Sequence, residues 1–399
     1  MISSALIIGG GIAGPVTAMA LQQAGIAATV FEAYGGRADG VGGALNIAPN
    51  GINALRLLGA DGVVAEAGFP TARMVMQNAN GKVLGDMAAL PGLPIGQTVA
   101  RADLYAALMA EAERRGIDVR YGKRFVSAVE GAGGVTATFA DGTSASGDIL
   151  VGADGIRSAV RAVIDPGAPG PRYTGLLGFG GWVPDSELAS TKDAMHFVFG
   201  RKAFFGYQVL DNGLAGWFAN LPRKQPLSGP EARAIPAAEW LGTLRELYRG
   251  DDSPAVHLLN KQRPEDLVTT GAMEDIPTVP VWHRGRMVLV GDSAHATSPS
   301  SGQGASLAVE SAVELARCLR DLGDHGRAFA AYEGLRRARA EKVIRNAERV
   351  NNDKAAGPVG RVIRDLMFPL AMRTFYSPEK MFGWLHRHEI PWEQPVRAA

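Results

Sequence analysis

The sequence predicts an α/β chain: a Rossmann-like, strand–turn–helix half, interrupted by an inserted, mostly antiparallel β-sheet and closed by a helical segment. Three observations carry that reading. The chain opens on an apolar run, a glycine turn and a helical stretch, with Gly9, Gly11 and Gly14 at GxGxxG spacing. Two later apolar runs also end in glycine and aspartate, at Gly152-Ala153-Asp154 and at Gly291-Asp292. Between them, from about Tyr173 to Asp275, the composition shifts to aromatics and short broken strands.

The opening run to Ile8 is short, apolar and rich in Ile, as buried strands are, and Val16 to Ala24 has helical periodicity. The first glycine of the motif permits a tight turn, the second lets a pyrophosphate approach the backbone, and the third lets helix and strand pack closely. The helix N-terminus, with Ile12 and Ala13, then offers unpaired amides to phosphate. After a second strand, Ala27 to Phe31, Glu32 stands about 20 residues past the turn, where a carboxylate accepts from a ribose 2′-hydroxyl. Together these features predict dinucleotide binding. The motif alone does not separate NAD from FAD.

A glycine-rich segment, Gly35 to Gly43, holds Arg37 and leads into a helix from about Gly51 to Leu58 that Gly59 closes. Strands at Arg73 to Gln77 and Lys82 to Gly85, turned at Asn80-Gly81, leave the nucleotide half. The chain returns near Thr98, where a helix runs to about Arg115 with Leu104 and Leu108 on one face. Ile117 to Tyr121, Phe125 to Glu130, Val135 to Phe139 and Ser146 to Val151 read as strands, and Ala159 to Ile164 as a helix. Pro166 to Gly170 marks a boundary.

In the aromatic stretch, Asp211-Asn212-Gly213 turns a hairpin and Trp240 to Tyr248 forms a helix. Its aromatics make an apolar wall, and Phe179, Phe205, Tyr207 and Trp217 are its candidate pocket residues. Arg286 to Val290 is one more strand, and Ser301-Gly302-Gln303-Gly304 opens a long helix. Helices continue to about Asn351, with Arg336, Arg337, Arg339, Arg345 and Arg349 expected on a solvated face. The expected domains are residues 1–72, 98–172 and 277–350 for the nucleotide half, 73–97 and 173–276 for the substrate sheet, and 351–399 for a helical tail.

With 46% hydrophobic and 20% charged residues the chain is globular, and a net charge of +1 gives no field suited to nucleic acid or an anionic membrane. Small-molecule partners remain. No run reaches the ~20 apolar residues of a membrane helix, and no basic segment precedes the apolar opening. The lone Cys318 excludes an internal disulfide and CxxC metal spacing, and is expected to fill the core. A cytoplasmic monomer or homodimer, without bound metal, is the expectation.

Three stretches together resemble the class A flavoprotein monooxygenases, the family of para-hydroxybenzoate hydroxylase, salicylate hydroxylase and the tetracycline-inactivating monooxygenases. They are Gly9 to Gly14 with Glu32, Gly152 to Ser158, and Gly291-Asp292-Ser293-Ala294-His295 with Pro299 and Gly302-Gln303-Gly304. The resemblance covers about Ala5 to Ala316 and implies FAD. In it, Asp292 behind Gly291 lies against the ribityl hydroxyls. Gly302, Gln303, Gly304 and Ala305 present amides to the flavin's N1 and C2 carbonyl, where charge gathers on reduction. Pro299 lies beside the ring, Arg101 reaches the cofactor from an Arg-x-x-Leu helix, Arg37 serves the adenosine side, and Asp154 fixes its loop near the pyrophosphate. His295 reads as a histidine packed behind the Gly291-Asp292 loop.

A second GxGxxG after a strand is absent, so NAD(P)H would visit transiently, NADPH being the family's common donor. The implied reaction has NAD(P)H reduce FAD, O2 add at flavin C4a, and the hydroperoxide's distal oxygen pass to an aromatic, conjugated or polyketide-like small molecule, with hydroxylation as the leading outcome. A phenol would need a base, for which Tyr207, Gln208 and His196 are candidates and none is assigned. Baeyer–Villiger-type or rearranging oxidation by the same peroxide is the alternative. A non-catalytic FAD-containing ligand-binding protein is the alternative of another class. Flavin halogenases carry Trp-x-Trp-x-Ile-Pro, against only Gly181-Trp182-Val183-Pro184 here.

Overall fold

A computed structural model describes residues 2–36, 43–354, 365–367 and 377–397. Arg37 and most of the expected tail between 355 and 376 lie outside the described residues.

The central six-stranded sheet runs in the order His283–Arg284, Met287–Leu289, Ile149–Gly152, Ser4–Ile8, Ala27–Phe31 and Asp118–Arg120. Only the first pair is antiparallel. Ile7, Val30, Leu150, Val151 and Val288 have no exposed surface, which is why these strands read as unbroken apolar runs. Helices Ala13–Gln23, Arg101–Arg114 and Gly304–Leu322 pack around it.

One expected strand is two. The stretch Ser146 to Val151 divides at Asp148: Ser144–Gly147 joins Gly134–Phe139 and Phe125–Gly131 in a separate three-stranded sheet, and Ile149–Gly152 enters the central one. The Asp148 carboxylate accepts from the backbone amides of Ser3 at 2.7 Å and Ser4 at 3.0 Å and from the Ser3 hydroxyl at 2.8 Å, pinning the first strand at the crossing. These bonds, the Ser3 amide foremost, hold its pKa down at about 2. A depressed carboxylate stabilises the fold fully above the unfolded value near ~4 and loses that contribution as pH falls through the folded one. Asp148→Asn should therefore cost about 1–2 kcal/mol at neutral pH and much less near pH ~2, which urea midpoints at the two pH values will show.

The second large sheet has seven strands, in the order Val268–Asp275, Arg172–Val183, Ala215–Pro222, Phe204–Val209, Ala194–Phe199, Arg73–Asn78 and Val83–Ala88. All neighbours are antiparallel except Ala194–Phe199 and Arg73–Asn78. Left-handed Gly81 and Gly213, at φ of 72° and 83°, make the two turns expected at Asn80-Gly81 and Asp211-Asn212-Gly213. Helices Ala237–Tyr248 and Ala255–Lys261 cover one face through Trp240, Leu244, Tyr248 and Leu258. A small antiparallel sheet of Ala44–Ile47, Gly96–Ala100 and Gly68–Thr71 feeds directly into helix Arg101–Arg114.

The solvated arginine face is corrected. In helix His325–Lys354, Arg336 is 1% exposed, and both Arg336 and Arg339 pair with the buried Glu310 of the neighbouring helix, at 2.6 and 2.8 Å. Arg337 bonds Glu333 and the Val279 carbonyl, which leaves only Arg345 and Arg349 of the five exposed. Charge counting along one helix could not reveal a carboxylate brought in by another. Cys318 fills the core as expected, its thiol pushed up to about 12 by burial. Among the described residues no helix is long and apolar enough to cross a membrane.

Candidate cofactor and substrate site

Parallel pairing of Ser4–Ile8, Ile149–Gly152 and Met287–Leu289 brings three strand ends to one edge, and with them the three glycine-bearing loops. At Gly9, φ is +106° and a Cβ would stand 2.5 Å from the Ala153 carbonyl oxygen. At Gly14 a Cβ would stand 1.9 Å from the Gly9 carbonyl oxygen, so helix and strand approach as only glycine allows. Gly11 differs: only the Tyr105 ring lies near, at 3.8 Å, and the floor there is open. Behind Ile12, helix Ala13–Gln23 starts without a side-chain cap or an acid in its first turn, so its amides stay unpaired.

Glu32 braces this turn. Its carboxylate accepts from the amides of Gly10 at 2.7 Å and Tyr34 at 2.9 Å. Asp154 accepts from the Ser158 hydroxyl at 2.5 Å and from the amides of Ala159 at 2.7 Å and Val160 at 3.1 Å, capping the short helix Ala159–Ile164. Two residues that the sequence reading missed tie the loops together. Buried Arg161 donates to the carbonyls of Ser293 and Ile156, at 3.1 and 2.6 Å, and the Ser293 hydroxyl donates to the Gly152 carbonyl at 2.6 Å. No spacing in the sequence announces either.

Asp292 starts a single helical turn after Gly291, whose φ is +70°, and opens onto the cleft. Partial desolvation raises its pKa while Arg101 opposes the rise, and burial likewise raises Tyr105, which faces Arg101, Asp292 and Glu32. A Cβ on Gly304 would stand 3.9 Å from the Asp292 carboxylate, so the long helix Gly304–Leu322 begins at the same cleft. Like the first helix, it has no side-chain cap and no acid in its first turn. Pro299–Ser301 forms a single 3-10 turn before it, and left-handed Gly302, at φ of +61°, redirects the chain through Gln303 to Gly304 and Ala305.

That turn rests on a buried polar network. Asn50 donates to the Gln303 side-chain oxygen Oε1 at 3.1 Å and to Glu310 at 2.6 Å, and Glu310 is held by Arg336 and Arg339. Burial alone would raise the Glu310 pKa, but the two guanidiniums hold it well below the usual carboxylate range. His295 sits behind the loop with Nε2 2.8 Å from the Ser311 hydroxyl, its pKa pushed down to about 3 by burial and by Arg336. It is neutral and packed.

The donor set suits a dinucleotide. Two bare helix N-termini offer amides to anionic or electron-rich groups, Glu32 and Asp292 offer acceptors to hydroxyls, and the bare floor at Gly11 leaves room that a Cβ would fill.

A narrow cavity lies between the small sheet and the seven-stranded sheet, walled by Phe69, Trp182, Met195 and Phe218 with Thr98 and Gln208 as its polar groups. Of the four candidate pocket residues, one borders this cavity. Phe179, Phe205, Tyr207 and Trp217 all belong to the core under helices Ala237–Tyr248 and Ala255–Lys261, and only Trp217 also borders the cavity. Side chains alternate along a strand, so the neighbouring Phe204, Gln208 and Phe218 take the opposite face. Phe218 lies over Gly206 and Trp182 over Gly216, where a Cβ would come within 2.2 and 2.6 Å of the rings. Glycines facing aromatics across the strands were the available signal. Of the base candidates, His196 stacks on Tyr207 with ring centroids 4.9 Å apart, away from the cavity, and Gln208 alone borders it, tied to the Pro70 carbonyl at 2.8 Å.

Against known proteins, the family model described as "FAD binding domain" matches residues 3–215 and 276–347. The aurachin C monooxygenase/isomerase of Stigmatella aurantiaca is 32% identical over 359 residues, covering 86% of this chain and 88% of that protein. An FAD-dependent urate hydroxylase of Klebsiella pneumoniae is 31% identical over 352 residues, with the same two coverages. Among solved structures, Klebsiella pneumoniae HpxO complexed with FAD and uric acid superposes with a TM-score of 0.85 at 27% identity, covering 96% of each chain.

Proposed function

We propose, from the premise that this chain belongs to the FAD binding domain family, the class A flavoprotein monooxygenases, that its substrate is a planar, electron-rich aromatic ring held in the cavity between its two sheets. The chain is an FAD-dependent monooxygenase, and NAD(P)H is the donor typical of the family. The observation that carries the substrate reading is the cavity itself: three flat aromatic walls, two polar groups, and Thr98 three residues from Arg101 at the cofactor cleft.

In this reading Gly9, Gly11, Ile12, Ala13 and Gly14 hold the pyrophosphate and Glu32 the adenosine ribose. Asp292 and Arg101 serve the ribityl side, and Pro299 with the amides of Gly302, Gln303, Gly304 and Ala305 serves the ring. Asp154 acts through its loop. Bound FAD supplies hydride acceptance from NAD(P)H and the activation of O2 for transfer of one oxygen atom. The chain's own part is to exclude water with Phe69, Trp182 and Phe218 and to orient polar ring substituents with Thr98 and Gln208. The central-sheet half is the cofactor domain and the seven-stranded sheet the substrate domain. A lone buried thiol is at ease in the reducing cytoplasm, where we place the protein as a monomer or homodimer.

The test is oxygen uptake with NADPH or NADH across a panel of hydroxylated aromatics, including urate and 6-hydroxynicotinate, with product mass measured. Gain of one oxygen atom in a ring product is expected. Donor oxidation that yields only peroxide with every compound counts against the reading. The aurachin relative joins oxygenation to isomerisation in its name, which favours a second reading, oxygen transfer followed by skeletal rearrangement, told apart by NMR of the product. Asp292→Ala should weaken FAD binding about tenfold or more without unfolding the chain, read as flavin-to-protein ratio after gel filtration beside an unchanged circular-dichroism melt.

A further inference from the structure

We propose that Lys354 is the cationic pole of the substrate site, recognising a carboxylate or ionised ring oxygen, so that the enzyme selects aromatic anions over their neutral counterparts. This rests on the aromatic-substrate reading above and adds to it a charge.

Lys354 is the last described residue of helix His325–Lys354. Its ammonium donates to the Asn220 side-chain oxygen at 2.8 Å and to the Ser300 hydroxyl at 3.1 Å, and lies 4.2 Å from the centroid of the Phe204 ring. It therefore touches both halves of the site at once: the cavity-side face of the substrate sheet, and the Pro299–Ser301 turn that leads into Gly302 and Gly304. Phe218, a cavity wall, lies two residues before Asn220 on the same strand, and its ring centroid is 5.9 Å from the ammonium.

The chemistry around this nitrogen is unusual for the chain. Arg336 and Arg339 face Glu310, and Arg317 faces Glu314 at 2.5 Å. Lys354 meets two neutral acceptors and an aromatic face, and among the described residues no carboxylate pairs with it. An ammonium has three protons to donate, and two are spent. Desolvation pulls its pKa down to about 7, as expected of a cation packed without a counter-ion. A charge held in that state is completed by an arriving anion, which restores the full ammonium and supplies the missing partner.

The experiment titrates FAD-loaded protein with matched probes, 6-hydroxynicotinate against 6-hydroxynicotinamide and 4-hydroxybenzoate against 4-hydroxybenzamide, following the flavin absorbance change for Kd. The native protein should prefer each carboxylate by about tenfold or more at low salt. Lys354→Arg should keep the preference, and Lys354→Met should bring the ratio to within about twofold while the amide's Kd and the flavin content hold. Lys354→Gln, which keeps a hydrogen-bonding tip, replaces the Met variant if that one loses FAD. The proposal is overturned if the charge-removing variant keeps the preference, if it weakens acid and amide equally, as a mere clamp between sheet and turn would, or if the native protein binds both alike or neither. Failure of the underlying reading looks different: a native protein that holds no FAD, or that consumes no donor and oxygen with any ring compound.

Discussion

Gly14→Ala is expected to give a colourless protein that is at least about 3 kcal/mol less stable than the native chain. The added methyl would stand 1.9 Å from the Gly9 carbonyl oxygen. That oxygen cannot step aside, because Gly9 is itself held by the hydrogen bond its N–H donates to the Phe31 carbonyl at 2.9 Å and by the Ala153 backbone packed against it. The helix must move instead, and its unpaired amides move with it. Gly11→Ala is the control: with only the Tyr105 ring within 4 Å, and at 3.8 Å, the methyl meets open space, so the fold should keep its urea midpoint while FAD binding weakens. Loss of stability in both variants, or in neither, would contradict the division of roles among the three glycines.

Glu310→Leu should cost about 3–5 kcal/mol, since removing one carboxylate leaves two guanidiniums packed without a counter-charge. Arg336 is 1% exposed and cannot turn to water. The same substitution frees Asn50 from its 2.6 Å bond, and through Asn50 loosens Gln303 in the turn that faces the cofactor cleft. Flavin content should fall further than stability alone explains. Adding Arg336→Met and Arg339→Leu should recover a large part of the loss, because an apolar replacement of a whole buried ion network is often close to neutral. A triple variant as unstable as the single one would show that the arginines do other work.

The nucleotide half was legible because its constraints are local. Glycines at fixed spacing, apolar strands buried on both faces and an acid after the second strand are all forced by backbone geometry within one βαβ unit. FAD itself came from the resemblance of three separated stretches, and the family match over residues 3–215 and 276–347 bears it out. The facing of the substrate sheet was not legible. Phe204 and Phe205 are adjacent and equally apolar, yet only Phe205 joins the core under the helices, and a one-residue change in facing exchanges one face of the sheet for the other. Nor could the long arginine-rich helix disclose its partner, since Glu310 reaches Arg336 only after the preceding helix has folded back beside it. The break at Asp148 escaped for a related reason: the serines that fix it sit at the other end of the domain's sequence.

The strand Ser4–Ile8 lies between Ala27–Phe31 and Ile149–Gly152, and the latter pairs in turn with Met287–Leu289. On the ribosome, where chains emerge at roughly 5–20 residues per second, this apolar strand must wait many seconds for the last of these strands to emerge. For that interval its edge is available to any other nascent polypeptide. Truncations that stop before residue 287 should accordingly engage chaperones and precipitate, and placing new ends in the loop near Gly170 offers a way to shorten the delay.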